Sequence, residues 1–277
     1  PSDGGTGFYD KSALNHIHGE YFLINNGYEK IKIGGNIREY TPDTKGSLFM
    51  DSTEMITNKE VGIYMGFEKK IDEGTLSTTF RYDKNENFDL NFSPAISIVL
   101  TPTDKDVIRF SVSSAIRNPT LADQYLYYNV GRAILIGNLS GHGTAYGENL
   151  VTVESLINYY LPAAQSKDSL KFFSVKPIQP EKAKSAEIGY RTTLFDKVYI
   201  DANYYYSRYT DFIGYKIGVK YDTIGNNNPD AYDISLQSIQ AYRMAANAEN
   251  TVTTQGASIG INYYLHPKYS LNGNYSW

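Results

Sequence analysis

The sequence predicts an all-β chain: an antiparallel transmembrane β-barrel wall of about ten strands. Three observations carry this. Apolar and polar residues alternate with period two, charges keep to one parity of the strands, and the connections alternate between short and long.

The alternation is plainest in residues 198–212. Val198, Ile200, Ala202, Tyr204, Tyr206 and Phe212 share one parity; Tyr199, Asp201, Asn203, Tyr205, Ser207, Tyr209 and Asp211 share the other. In a strand the two parities are opposite faces, one apolar and one polar. Ile108, Phe110, Val112 and Ile116 oppose Arg109, Ser111, Ser113 and Arg117 in the same way. Ile188 and Tyr190 oppose Glu187, Gly189 and Arg191, and Ile31, Ile33 and Ile37 oppose Lys32, Gly34, Asn36 and Arg38. Alternation alone suits a soluble sandwich equally, with its apolar face turned inward.

Charge is the second element. Arg81, Arg109, Arg117, Glu187, Arg191 and Asp201 all fall on the polar parity. A cation on a lipid face at mid-depth costs about 2–4 kcal/mol, so a membrane wall should be written this way.

Connection length is the third. Ten strands are read near 13–24, 28–41, 58–70, 74–83, 88–100, 106–118, 181–195, 197–215, 250–265 and 269–277. Short turns at Asn25-Asn26-Gly27, Ile71-Asp72-Glu73, 101–105, Phe195-Asp196 and His266-Pro267-Lys268 carry the usual turn residues. Between them lie long links at 42–57, 119–180 and 216–249 and a compact one at 84–87. Short on one side and long on the other is the outer-membrane pattern, with the long loops external. Several strands reach the roughly 9–11 residues that a tilted membrane strand needs.

Composition fits. The 277 residues include 26 Tyr and 12 Phe, and tyrosine's apolar ring and polar tip suit a membrane–water boundary. Net charge is −4, which leaves no basic footprint for nucleic acid. With no cysteine there is no disulfide scaffold, thiolate metal site or cysteine nucleophile. Mean hydropathy is −0.41, and a barrel's alternation keeps that value low. The start, Pro1-Ser2-Asp3-Gly4-Gly5, has neither the charged nor the apolar region of a signal peptide, so a processed or partial chain is expected.

No catalytic constellation stands out, there being no nucleophile–base pair and no Gly-x-Ser-x-Gly elbow; a non-enzyme without a cofactor is expected. His16 and His18 share one face of a strand, but no third ligand can be assigned, so no metal site is predicted. Gly131, Gly137, Gly141, Gly143 and Gly147 read as loop flexibility, and Asn226-Asn227-Asn228 as a loop tip. The long link at 119–161 is more informative. It sets tyrosines beside amides and a cation, and Gln124, Tyr125, Tyr127, Tyr128 and Arg132 are the candidate external ligand contacts. Packing of the link upon itself explains the same residues.

Two runs resemble the barrels of TonB-dependent receptors. Phe110–Thr120 followed by Asp123-Gln124-Tyr125 is similar to a strand-to-loop junction with an Arg-x-Pro exit. Pro180–Arg191 is similar to the family's Pro-Glu-x…Glu-x-Gly-Tyr-Arg strand, with 198–206 and 209–213 as the next strand and its exit. The resemblance covers about 107–215 closely and the flanks in pattern. It implies a 22-stranded barrel closed by an N-terminal plug. It also implies energised import of a scarce nutrient (a metal chelate, cofactor or glycan) across the outer membrane of a Gram-negative bacterium. The implied partners are outer-membrane lipid, the nutrient, a surface lipoprotein, and the TonB complex acting through a plug that this chain lacks. Arg109, Arg117, Glu187, Arg191 and Asp201 would then face lumen and plug. An open sheet edge cannot sit in lipid, so ten strands are expected to be a central-to-late arc of a larger wall, with Tyr275-Ser276-Trp277 inside a strand cut short. A passive small porin or adhesin-like barrel is the alternative.

Overall fold

The structure is a computed structural model that describes residues 7–25, 29–142, 150–160, 169–221, 223–224, 233–234 and 238–277. In chain order the strands are β1 (Ala13–Asn25), β2 (Glu29–Thr41), β3 (Asn58–Ile71), β4 (Gly74–Asn85), β5 (Asn91–Leu100), β6 (Asp106–Arg117), β7 (Tyr127–Asn129), β8 (Ala133–Ile136), β9 (Leu150–Thr152), β10 (Glu181–Leu194), β11 (Val198–Thr210), β12 (Ile213–Lys220), β13 (Thr223–Ile224), β14 (Asp233–Ile234), β15 (Gln240–Asn247), β16 (Val252–His266) and β17 (Tyr269–Ser276). Two helices, α1 (Leu121–Tyr125) and α2 (Val153–Tyr160), interrupt them. Among the described residues no helix is long and apolar enough to cross a membrane.

Ten strands form one antiparallel wall in the order β1-β2-β3-β4-β5-β6-β10-β11-β16-β17. They match the ten strands expected from the sequence, with one correction. The run 197–215 is not a single strand. β11 ends at Thr210, Asp211 turns the chain at φ +55, and β12 departs from Ile213 into a second sheet. Aspartate tolerates this left-handed backbone where most residues would not. The Phe195–Asp196 turn is as expected, with both residues at φ +54 and Lys197 N–H donating to Leu194 O at 3.0 Å. Positive φ at both centres is the hairpin geometry whose twist matches the strands.

The register makes each face continuous. Ile98, Phe110, Ile188, Tyr204 and Ala257 follow one another across five strands, and Ile17, Ile37 and Val61 across three. This apolar face is open: Phe110 is 44% and Ile188 53% exposed. On the opposite face lie Arg81, Arg109, Arg117, Glu187, Arg191 and Asp201. The wall is therefore built like a membrane barrel, apolar side outward, and its sheet is unclosed, with β1 and β17 each paired to one neighbour.

Antiparallel pairing puts all the long links at one end of the wall. They fold together there. β7-β8-β15-β12-β9 form a five-stranded link sheet drawn from the second and third long links, with β8 and β15 parallel. This sheet holds the buried apolar cores of the molecule. Ile134, Ile136, Leu150, Phe173, Val175, Met244 and Ala246 form one; Val151, Leu156, Tyr159, Val219 and Tyr221 form a second beside α2. Phe88, from the compact link, joins Ile178, Ile213 and Ala245 in a third.

The glycines expected to loosen the second link instead seat it. Gly131 and Gly141 have φ of +94 and +80, and a Cβ on Gly137 would meet the backbone of Gln124 and Tyr125 at 2.4 Å. Gly143, Gly147 and Asn226–Asn228 lie outside the described residues.

Candidate ligand-binding site

The polar face of the wall is paved by long side chains that lie across glycines. A glycine leaves room for a neighbour to cross its strand. On β4 the Arg81 guanidinium passes over Gly62 of β3, where a Cβ would stand 2.4 Å from Nη2, and donates to Asn36 Oδ1 of β2 at 2.9 Å. Its Nε also donates to Asp83 at 2.6 Å. On β6 Arg109 passes over Gly189 of β10 and donates to Asp201 Oδ1 of β11 at 2.6 Å. The Tyr64 ring lies on Gly34, and its hydroxyl donates to Glu20 Oε2 of β1.

Near the long-link end this face meets α1 and forms with it a half-open cavity of about 600 Å³. Asn36, Arg38, Glu60 and Arg81 line its wall side; Asn118, Thr120 and Gln124 close it from the link. α1 is fixed by a capping box. Thr120 Oγ1 accepts from the Asp123 N–H at 3.1 Å, and the Asp123 carboxylate accepts from the Thr120 N–H at 2.9 Å. A chain of amides then ties helix to wall. Asn58 Nδ2 and Asn87 Nδ2 both donate to Gln124 Oε1, at 3.0 and 2.8 Å, and Gln124 Nε2 donates to Pro119 O at 2.7 Å. Glu60 Oε1 accepts from Asn85 at 3.0 Å and from Asn118 at 3.1 Å. The cavity is thus rimmed by oriented amides and arginines, a surface suited to a hydrogen-bonding, oxygen-rich ligand.

The candidate residues separate into groups. Gln124 and Tyr125 meet at Asn87, whose amide also donates to the Tyr125 hydroxyl at 2.6 Å. Burial pushes the Tyr125 phenol above its ordinary pKa while the Asn87 bond pulls it down. Gln124 is buried and lines the cavity, and its side chain is spent on the frame. Tyr127 belongs to β7, packs on the Ile134–Met244 core, and donates its N–H to Leu48 O of the first long link at 2.9 Å. The Tyr128 ring sits 5.3 Å from that of Phe8. Arg132 is exposed. These last three stand apart from the cavity.

Of the polar-parity residues, Arg109 pairs with Asp201, and Arg191 is Asp201's register neighbour. Glu187 is exposed between Ser111 and Tyr205. Arg117 has a different task. Its Nη2 donates to Glu181 Oε2 at 2.9 Å, and the same oxygen accepts the Ile213 N–H at 3.0 Å. One buried carboxylate therefore joins the end of β6, the start of β10 and the departure of β12. Both runs singled out in the sequence, together with the exit at 209–213, converge on this junction.

Sequence reasoning missed the cavity's own residues: Asn58, Glu60, Asn85 and Asn118. A signal was present. Pro119-Thr120-x-x-Asp123 is a helix start, and a helix there must fold back onto the polar parity of the preceding strands. His16 and His18 lie with ring centroids 6.5 Å apart, and His18 Nε2 is 2.9 Å from the Tyr64 hydroxyl. Among the described residues no group of three or more such side chains could hold a metal ion.

An open antiparallel wall with an exposed apolar face, a polar face bearing a cavity, and long links folded over one end is the wall of a transmembrane β-barrel. The chain belongs to the family described as TonB dependent receptor-like, beta-barrel, whose model matches residues 4–277. No curated protein matches the chain. Solved structures of similar fold include the siderophore receptor PirA from Acinetobacter baumannii, at 14% identity and TM-score 0.62, with 96% of this chain and 36% of that chain covered. A mutant of the ferric enterobactin receptor PfeA from Pseudomonas aeruginosa aligns at 14% identity and TM-score 0.63, covering 96% and 35%. The FrpB iron transporter from Neisseria meningitidis aligns at 14% identity and TM-score 0.54, again covering 96% and 35%. The chain spans about a third of the length of these receptors.

Proposed function

We propose that this chain is part of the wall of an outer-membrane receptor that imports a scarce nutrient with energy delivered through TonB, in a Gram-negative bacterium. The cavity between α1 and the polar face of β2–β4 carries the reading. It lies inside the wall, at the end where the long links gather, and in this reading that end faces the exterior. A ligand arriving there meets the link sheet first, with Tyr127, Tyr128 and Arg132 as outer contacts. It then meets Arg38, Arg81, Asn36 and the frame held by Gln124 and Tyr125. Arg109, Asp201, Glu187, Arg191 and Arg117 continue the polar face that lumen and plug would share.

Among nutrients, a metal chelate is favoured over a cofactor or glycan. The similar structures are a siderophore receptor, a ferric enterobactin receptor and an iron transporter, an analogy at the level of the fold. The donors agree, because arginines and amides grip the peripheral oxygens of such a chelate.

The test uses cells carrying the full-length protein and a panel of ferric chelates, with cobalamin and oligosaccharides alongside. One class is expected to accumulate, and dissipating the inner-membrane potential should stop accumulation while leaving surface binding intact. Accumulation that persists without TonB would overturn the energised reading in favour of a passive pore. Arg38→Gln with Arg81→Gln should weaken surface binding at least about tenfold, the loss of roughly one charged hydrogen bond.

A further inference from the structure

The outward apolar face carries charges only near its ends, and most of them have partners. Glu29 pairs with Lys69 at 3.1 Å and Glu39 with Lys59 at 3.3 Å. The Lys84 ammonium donates to Phe88 O, and Asp106 accepts from the Tyr190 hydroxyl at 2.6 Å. Three cations break the pattern. Lys182 and Lys184 of β10 share the parity of Ala186 and Ile188, and Arg208 of β11 shares that of Tyr206 and Tyr204. Lys184 and Arg208 are register partners, and Lys182 stands beside Thr210 and Ile116. All three are exposed, and among the described residues none forms an ion pair.

Their depth is informative. Arg208 lies two residues beyond Tyr206, roughly 7 Å along the strand, toward the long links. Below the cations the same face runs on through tyrosine to Ile188 and Val112. The cations flank a depression of about 430 Å³ that Phe92 and Ile116 help to line. Aromatic, then cation, then link is the order in which a wall would meet acyl chain, headgroup and water. The short-link end of β6, β10 and β11 shows no counterpart. On this parity it carries Thr192, Leu194, Val198 and Asp106.

We propose that Lys182, Lys184 and Arg208 form a binding site for the phosphate of a phosphorylated lipid headgroup, with the lipid's acyl chains lying along Val112, Ile188 and Tyr204. Arginine's planar fork grips two phosphate oxygens at once, and the lysines act as point charges beside it. A free anion would leave the adjoining apolar face unused, which favours the lipid. The site rests on the membrane reading for the lipid contact of this face and on nothing in the import mechanism.

The test measures retention of labelled phosphatidic acid by the full-length protein in non-ionic detergent, against phosphatidylcholine, with inorganic phosphate as competitor. Phosphatidic acid should be held at least tenfold tighter than phosphatidylcholine. Lys184→Gln should weaken it about fivefold, and K182Q/K184Q/R208Q about a hundredfold, as expected for one surface cation and for three. Unchanged heat-dependent gel mobility confirms an intact wall; if the triple variant fails that check, the single variant decides. The same charge removed at the other end, by K70Q/K197Q/K268Q, should leave retention intact. Equal loss in that control, equal retention of both phospholipids, or full displacement by millimolar phosphate overturns the proposal while the membrane reading stands. If neither phospholipid is held, the proposal falls; the membrane reading falls only if the intact protein also stays soluble without detergent.

Discussion

The wall and the link sheet are both antiparallel-rich sheets cut from one chain, yet they put their apolar residues on opposite sides of the protein–solvent boundary. In the wall, Phe110 and Ile188 stand open in a face that crosses the sheet. In the link sheet, Met244 is 0% exposed and sits in a closed core with Phe173 and Ile136. The local pattern differs: the wall strands alternate, whereas β15 buries Met244, Ala245 and Ala246 in succession and β9 buries Leu150 and Val151. Alternation in the wall specifies two faces and leaves their solvents undecided. What decides is the other face. The wall's second face is filled with arginine, glutamate and glycine, which cannot be packed against a core, so the apolar face must meet something apolar from outside. The link sheet is apolar on both faces and covered on both, by the chain around Phe173 on the side of Leu150 and Met244 and by helix α2 on the side of Val151 and Val219, and needs no lipid.

Substitutions that each region should feel differently put this contrast to the test. The largest effect is expected in the link sheet. Met244→Ala should cost about 2–5 kcal/mol of local stability through the cavity it leaves, measured as hydrogen exchange over β12 and β15. The wall's unfolding in lipid should stay unchanged. Ile188→Arg reverses this. At mid-strand on the lipid face it should cost about 2–4 kcal/mol in vesicle-embedded unfolding and leave the links' exchange alone. If both substitutions disturb both regions alike, the two-solvent picture is wrong.

Glu181→Gln attacks the joint. It weakens the bonds to Arg117 and to the Ile213 N–H, and about 1.5–3 kcal/mol should be lost from docking of β12, read as faster proteolysis of the third link. A smaller effect comes from pH in the first link. Burial pushes the Asp51 carboxyl up, but the Thr44 and Gly46 N–H groups and the Thr44 hydroxyl pull it below its ordinary value overall. Its contribution is therefore complete above the ordinary carboxylate pKa, about 4, and disappears as pH falls through the lower folded value. The Thr44 and Gly46 amides should exchange faster at pH 3 than at pH 5.5, beyond the intrinsic pH dependence of exchange. Asp51→Asn should remove that excess.

The wall was legible because a strand's parity is a purely local property: each of ten strands can be read from eight or so residues. The departure at Asp211 was not legible in the same way. In 209–215 only the adjacent apolar pair Phe212-Ile213 interrupts the alternation, and the turn there, at an aspartate with φ +55, sends β12 elsewhere. The link sheet was illegible for a related reason. β8 and β15 are more than a hundred residues apart in sequence and pair in parallel, so neither run signals the other. Gln124 could be picked out as a polar residue in an informative link, but its bonds to Asn58 and Asn87 depend on α1 folding back across the wall. The arginines fell on the correct parity. The partners of Arg81 and Arg109 did not follow from parity, because each of these guanidiniums reaches past its neighbouring strand to the next.

That reach bears on traffic through a barrel. A tyrosine or arginine standing upright from an inner surface narrows the channel, whereas one that reclines over Gly34, Gly62 or Gly189 adds little height. In a barrel closed by further strands, these glycines would set the free bore at these levels. Enlarging one would raise the overlying side chain like a lowered gate arm returned upright, and would throttle passage without removing any group that a solute recognises.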